Sequence, residues 1–207
     1  MKTILFQGDS ITDCGRNREN KRVGGGYPLL VTASLSCDYP NEYNIYNTGI
    51  SGNRIVDLYA RIKDDLINLK PDYMSILIGV NDVWHELDRQ NGVSAEKFEK
   101  IYDMLLEEVF AALPHIRIMI MEPYVVHGTG SDRYYDEFRA EVEKRAAVAR
   151  RLAEKYGLPF IPLQKMFDEA AEKSGGAEHW VWDGVHPNHA GHEMIARAWL
   201  ETFEKIK

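Results

Sequence analysis

The chain has 207 residues, 44% hydrophobic and 28% charged, which suits one soluble globular domain over 1–207 and excludes disordered and fibrous classes. Lys and Arg number 25 against 32 Asp and Glu, a formal charge of −7; nucleic-acid or anionic-membrane binding rests on basic clusters, so neither partner is expected. Cys14 and Cys37 are too few for a disulfide framework and offer no CxxC zinc pair, so reduced thiols are expected.

The first apolar run, 3–7, is bounded by Gly8 and predicts a strand. Its three apolar residues are too few for a signal peptide, and no stretch approaches the ~20 apolar residues of a membrane span, so a cytoplasmic location is expected. Residues 12–26 read as irregular, their Gly24-Gly25-Gly26 run a loop before a helix starting near Tyr27. A second strand falls at 43–47, then a helical face of Ile55, Leu58, Tyr59, Ile62 and Leu66. A third strand, 73–78, leads into an irregular stretch at 83–94, followed by the face Phe98, Ile101, Tyr102, Leu105, Leu106 and Val109. The fourth strand, 117–121, precedes an irregular 125–131 and the face Phe138, Val142, Ala146 and Ala149. A weaker strand at 158–162, an irregular 174–188 and the face Met194, Ile195, Ala198, Trp199 and Phe203 complete the chain. Such alternation of buried strands with amphipathic helices predicts a three-layer α/β/α sandwich on a five-stranded parallel sheet. Ligands in such sheets sit at the carboxyl ends of the strands.

The candidate chemistry lies at those ends. Gly8-Asp9-Ser10-Ile11-Thr12 leaves a serine hydroxyl at the sheet edge, although Thr12 stands where a G-x-S-x-G elbow needs glycine. Turn serines more often cap than react. Asp183-Gly184-Val185-His186-Pro187 supplies an acid and a base three residues apart that can pair across a turn. Pro187 blocks helix at His186, and Asn188 can cap the helix that follows. Oxyanion donors are available from the Gly52 amide after the second strand and the Asn81 side chain after the third. Each has a duller reading, helix entry or turn, but the four segments together point to acyl transfer.

In this order, Gly8-Asp9-Ser10, Gly52, Gly79-x-Asn81-Asp82 and Asp183-x-x-His186 resemble the four blocks of the SGNH hydrolases, or GDSL esterases. The resemblance runs from about residue 3 to 199, with Ile11 replacing the leucine of the family's first block. Longer strings, such as Gly79-Val80-Asn81-Asp82-Val83-Trp84 and Trp182-Asp183-Gly184-Val185-His186-Pro187, are similar to intracellular acetylxylan esterases that deacetylate xylo-oligosaccharides. The resemblance implies a flavodoxin-like sheet, Ser10 as nucleophile, His186 as base and Asp183 as its orienting carboxylate. It also implies an oxyanion hole from the Ser10 amide, the Gly52 amide and Asn81, with Asp9 and Asp82 supporting the loops. No cofactor is implied.

Trp84, Trp182, Tyr27 and Tyr124 sit in or beside these loops and are expected to bind substrate, since aromatic faces stack on sugar rings; the competing reading is a roof over a small acyl pocket or a subunit interface. His179, His189 and His192 invite a metal, yet no further ligand pair completes a site, so none is expected. Nothing beside Cys14 in the sequence would depress its pKa. The expected partner is a small acyl ester, an acetylated oligosaccharide foremost, with a homo-oligomer open. Two rivals stand: a lysophospholipase, thioesterase or platelet-activating-factor-like acetylhydrolase on the same fold, and a non-catalytic sugar-binding protein.

Overall fold

A computed structural model describes all 207 residues. In chain order the elements are β1 (Lys2–Gly8), α1 (Ser10–Asp13), α2 (Gly26–Asp38), β2 (Tyr43–Asn47), α3 (Ile55–Ala60), α4 (Ile62–Asp65) and β3 (Tyr73–Leu77). They continue with α5 (Val80–Arg89), α6 (Ala95–Ala112), β4 (Arg117–Met121), α7 (Tyr135–Tyr156), β5 (Phe160–Ile161), α8 (Leu163–Ser174) and α9 (His189–Glu204). All strand pairs are parallel, in the order β2-β1-β3-β4-β5. That is the flavodoxin-like order, and its connections change direction between β1 and β3.

Strand alternation explains the two cores. Ile4 and Phe6 of β1, Tyr73 and Leu77 of β3, and Met119 and Met121 of β4 face one layer, where Tyr27 and Val31 of α2 meet Trp199 and Phe203 of α9. Leu5, Met74, Ile76, Ile118 and Ile120 face the other, under Leu58 of α3, Phe98 and Leu105 of α6 and Leu152 of α7. Burying one such side chain is worth about 2 kcal/mol, so these faces hold register: a one-residue slip would reverse every strand side chain. The expected strand at 158–162 shrinks to Phe160–Ile161, an edge pairing only with β4.

Two local expectations need correction, and one helix lies where the sequence raised no expectation. Residues 83–94 are not irregular at their start, because α5 runs from Val80 to Arg89. Its apolar positions Val80 and Val83 turn inward while Asp88 and Arg89 stay outside, a pattern too short and too charged to read from periodicity alone. The face from Ile55 to Leu66 is two short helices, α3 and α4, broken at Arg61. Finally α8 follows β5 directly, packing Leu163 and Phe167 against the first core. No helix is long and apolar enough to cross a membrane.

Candidate active site

The site lies where β1 and β3 end, at the reversal of strand order. Asp9 caps α1, its Oδ1 accepting from the Ile11 amide at 3.0 Å, and this tight turn sets Ser10 at the helix start. Ser10 Oγ stands 2.8 Å from His186 Nε2, across 176 residues of chain. On the far side of the ring, His186 Nδ1 is 2.7 Å from Asp183 Oδ2. A carboxylate can only accept there, so Nδ1 carries the proton and Nε2 offers its lone pair to the Ser10 hydroxyl. The hydroxyl can then pass its proton to the imidazole as it attacks.

The loop that carries Asp183 and His186 is built to hold that geometry. An antiparallel bridge joins Val181 to Pro187, and the Trp182 amide donates to the His186 carbonyl at 2.8 Å. Asp183 Oδ1 accepts from the Val185 and His186 amides at 3.0 and 2.8 Å. Gly184 has φ +98, and a Cβ there would lie 2.1 Å from Ser131 Oγ and 2.5 Å from the Val126 carbonyl, so only glycine fits. From outside, Val126 N donates to the Gly184 carbonyl and Gly130 N to that of Asp183, both at 2.9 Å. Asn188 accepts from the Ala190 and Gly191 amides and caps α9.

Electrostatics follow from these contacts. The Asp183 hydrogen bond raises the His186 pKa above the ordinary imidazole value against the opposing effect of burial. Burial pushes the Asp183 carboxyl up, but the imidazole and two amides outweigh it and leave it below the usual carboxylate range. Asp9 is fully buried, its Oδ2 has no partner, and burial raises its pKa to about 7. Asp82, also buried, takes the Ile55 amide on its carboxylate at 3.1 and 3.2 Å and so ties the start of α5 to α3. Burial holds its pKa well above the carboxylate range.

Three groups expected to donate to an oxyanion, the Ser10 and Gly52 amides and the Asn81 side chain, keep unused N–H groups. Neither the Ser10 nor the Gly52 amide has an acceptor within the protein. Gly52 sits at φ +81 in the loop after β2, with His85 beside it. Asn81 spends one amide hydrogen on the Asn53 carbonyl at 3.2 Å, leaving the other free. Around this loop lie residues that sequence reading passed over. Asp13 accepts from the Ser51 amide, Asn47 spans Thr12 and Gly49, Arg16 donates to the Gly49 carbonyl, and Arg61 lies beneath the loop. Most of their partners are backbone groups, which leave no mark in a one-dimensional pattern.

Of the four expected substrate aromatics, two are elsewhere. Tyr27 is fully buried, its hydroxyl bonded to Thr12 Oγ1 at 2.9 Å, and it packs on Phe6. Tyr124 is equally buried, stacking on Phe167 and donating to the Val185 carbonyl at 2.8 Å. Neither can touch a ligand; both support the site from below. Trp84 lies over His186 with ring centroids 5.9 Å apart, and Trp182 is 65% exposed. Beside Trp182 a cavity of about 450 Å³ opens, lined by Cys14, Leu29, Leu30, His189 and His192 among others. It begins one turn from the hydrogen-bonded Ser10–His186 pair, since the Cys14 amide donates to the Ser10 carbonyl.

The histidines diverge. His192 Nδ1 accepts from the Tyr27 amide at 3.1 Å and its Nε2 faces Cys14 Sγ at 3.7 Å, while His189 packs on Trp182 and His179 on Trp180. No three His, Cys, Asp or Glu side chains converge as metal ligands. Burial, then Asp13, pushes the Cys14 thiol up.

A serine, an imidazole and a carboxylate aligned at the switch point of a five-stranded parallel sheet are the groups that a serine-dependent hydrolase uses. Residues 6–194 match the GDSL-like Lipase/Acylhydrolase family. An acetylxylan esterase from Geobacillus stearothermophilus is 36% identical over 99% of this chain and 95% of its own length. Its crystal structure superposes with a TM-score of 0.85 at 35% identity, covering 97% of this chain and 93% of that one. That enzyme has also been solved as catalytic mutants with a serine or an aspartate changed to alanine. A GDSL-like protein from Parabacteroides merdae gives a TM-score of 0.91 at 35% identity, over 98% of this chain and 95% of the other. The chain belongs to the GDSL-like lipase/acylhydrolase family and is a carboxylic ester hydrolase of the acetyl esterase type.

Proposed function

We propose that Ser10, His186 and Asp183 form the catalytic triad of an acetyl esterase acting, as a single domain, on soluble acetylated oligosaccharides, xylo-oligosaccharides foremost. The observation that carries the triad is the unbroken line from Ser10 Oγ through His186 to Asp183, at 2.8 and 2.7 Å. Ser10 attacks the acetyl carbonyl as Nε2 takes its proton. The oxyanion is received by the Ser10 and Gly52 amides and by Asn81, each aimed donor being worth about 3 kcal/mol of barrier. The tetrahedral intermediate collapses, His186 returns the proton to the sugar oxygen, and the sugar alcohol leaves. Water then attacks the acetyl-Ser10 ester by the same route, releasing acetate.

For the sugar, support comes from the likeness to the Geobacillus acetylxylan esterase and from the exposed Trp182 beside a cavity of about 450 Å³. The experiment is acetate release from acetylated xylo-, manno- and gluco-oligosaccharides by the parent and by S10A. S10A should be inactive on every ester, and full activity in S10A would overturn the triad. Among nitrophenyl esters, rates should fall steeply beyond acetate; a rise toward octanoate would replace the sugar with a lipid.

A further inference from the structure

Arg61 occupies the break between α3 and α4, where the helical face expected from sequence is interrupted. Its side chain is only 15% exposed, and every donor of the guanidinium is used. Nε donates to Asn53 Oδ1 at 2.8 Å; Nη1 donates to the Thr48 carbonyl at 2.7 Å and to Asp65 Oδ2 at 2.8 Å. Nη2 donates to Gln7 Oε1 at 2.8 Å and reaches the Gly8 carbonyl at 3.4 Å. Gln7 Oε1 in turn accepts the Gly8 amide at 3.0 Å, two residues before Ser10. The Asn53 carbonyl accepts the Asn81 side chain.

Apart from Asp65, these partners frame two separate segments directly and, through Asn53, a third. Gln7 and Gly8 end the strand that delivers Ser10. Thr48 and Asn53 bracket the loop that presents the Gly52 amide. Asn53 also orients Asn81. One planar fork thus spans the supports of the nucleophile and of both remote oxyanion donors. A lysine ammonium could meet some of these acceptors, but its point charge lacks the fixed directions that tie five at once.

We propose that Arg61 is a positioning residue that sets the spacing between Ser10 and the oxyanion donors Gly52 and Asn81. The inference rests on the reading of Ser10 as nucleophile. Because the donors count only when aimed at the transition-state oxygen, loosening Arg61 should lower kcat and leave KM nearly unchanged. An anchor that merely held the helices together would lower thermal stability instead.

The test compares R61A, R61K, N53A and K21A on nitrophenyl acetate. N53A removes only the acceptor of Nε. K21A removes the other cation on Asp65, which Lys21 Nζ holds at 2.7 Å, and touches none of the three frames. In R61A kcat should fall about 30-fold and in N53A about 5-fold, with KM within about twofold, while K21A keeps the parent kcat. R61K should fall between R61A and the parent. Millimolar methylguanidinium should restore part of the R61A rate and leave N53A unchanged. Parent-like kcat in R61A and N53A overturns the proposal, as does a loss in K21A that tracks melting temperature. If R61A does not fold, N53A and R61K decide, and parent-like kcat in both overturns it. Labelling of Ser10 by a serine-reactive phosphonate separates the two readings. A labelled parent with an unaffected R61A sinks only the role of Arg61, whereas a parent unlabelled at Ser10 sinks the triad.

Discussion

Asp183→Asn changes one atom of the proposed triad and reverses the direction of its proton. Asp183 Oδ1 holds the Val185 and His186 amides, and an asparagine oxygen can keep both. The new amide nitrogen must then take the place of Oδ2, 2.7 Å from His186 Nδ1. Being a donor, it demands a lone pair at Nδ1 and so moves the ring proton to Nε2, facing Ser10. The hydroxyl loses its base while the loop keeps its shape. A serine-protease triad loses about 10⁴ in turnover to the same change, about 5 kcal/mol of barrier, and a similar fall is expected here. The assay is kcat/KM for nitrophenyl acetate against pH, with circular dichroism to confirm the fold.

The pH profile sharpens that test. Neutral imidazole is the active form, and Asp183 raises the His186 pKa, so the parent's kcat/KM should climb through a midpoint above the usual ~6.5. In Asp183→Asn the residual limb should move to lower pH. For stability the signs are opposite within the pair. The His186 contribution is full below its unfolded pKa and is lost as pH rises through the folded one. The Asp183 contribution is present above its unfolded pKa and is lost as pH falls. Both side chains are partly exposed, so solvent screens much of either effect. A loss of less than tenfold in Asp183→Asn, or an unmoved limb, would refute the assignment of base and orienting acid.

Three further outcomes follow from single contacts. Burial lowers the His192 pKa from 6.5 to about 4, so the unfolded chain binds more protons in that window and His192 withdraws about 3 kcal/mol of stability as pH falls through it. His192→Asn keeps an acceptor for the Tyr27 amide and should flatten that part of a denaturation series between pH 4 and 6.5. Gly184→Ala places a methyl on Ser131 and the Val126 carbonyl at positive φ, and should cost at least about 2 kcal/mol by urea unfolding and most of the activity. Trp182→Ala should raise KM for acetylated oligosaccharides severalfold yet leave nitrophenyl acetate turnover nearly unchanged, because the exposed indole touches neither Ser10 nor His186 in the hydrogen-bond network.

The layered architecture was legible in the sequence because buried parallel strands need nearly continuous apolar runs, and helices covering them need a 3.6-residue stripe. Runs such as 73–78 and 117–121 admit little else. Short or mixed segments were not legible: α5 carries its fully buried residues over about one turn, and β5 is two residues long, too short for any alternation to show. The chemistry-bearing segments could be named from Gly8-Asp9-Ser10 and Asp183-x-x-His186 because few residue types can supply a nucleophile, a base and its orienting acid.

What sequence could not separate was an aromatic with an open face from one buried beneath the site. Tyr27 and Trp182 both stand beside the same loops, but Tyr27 begins α2 pointing into the core while Trp182 projects from a bridged turn into solvent. Arg61 is the same case for charge: four of its five acceptors, on Gln7, Gly8, Thr48 and Asn53, lie in segments 8 to 54 residues away, and nothing in the order of residues brings them to one guanidinium. Residue type decides which chemistry is available. Which groups meet, and which side chains keep an open face, is decided only when the chain closes on itself, because orientation and burial are properties of neighbours that sequence order does not place.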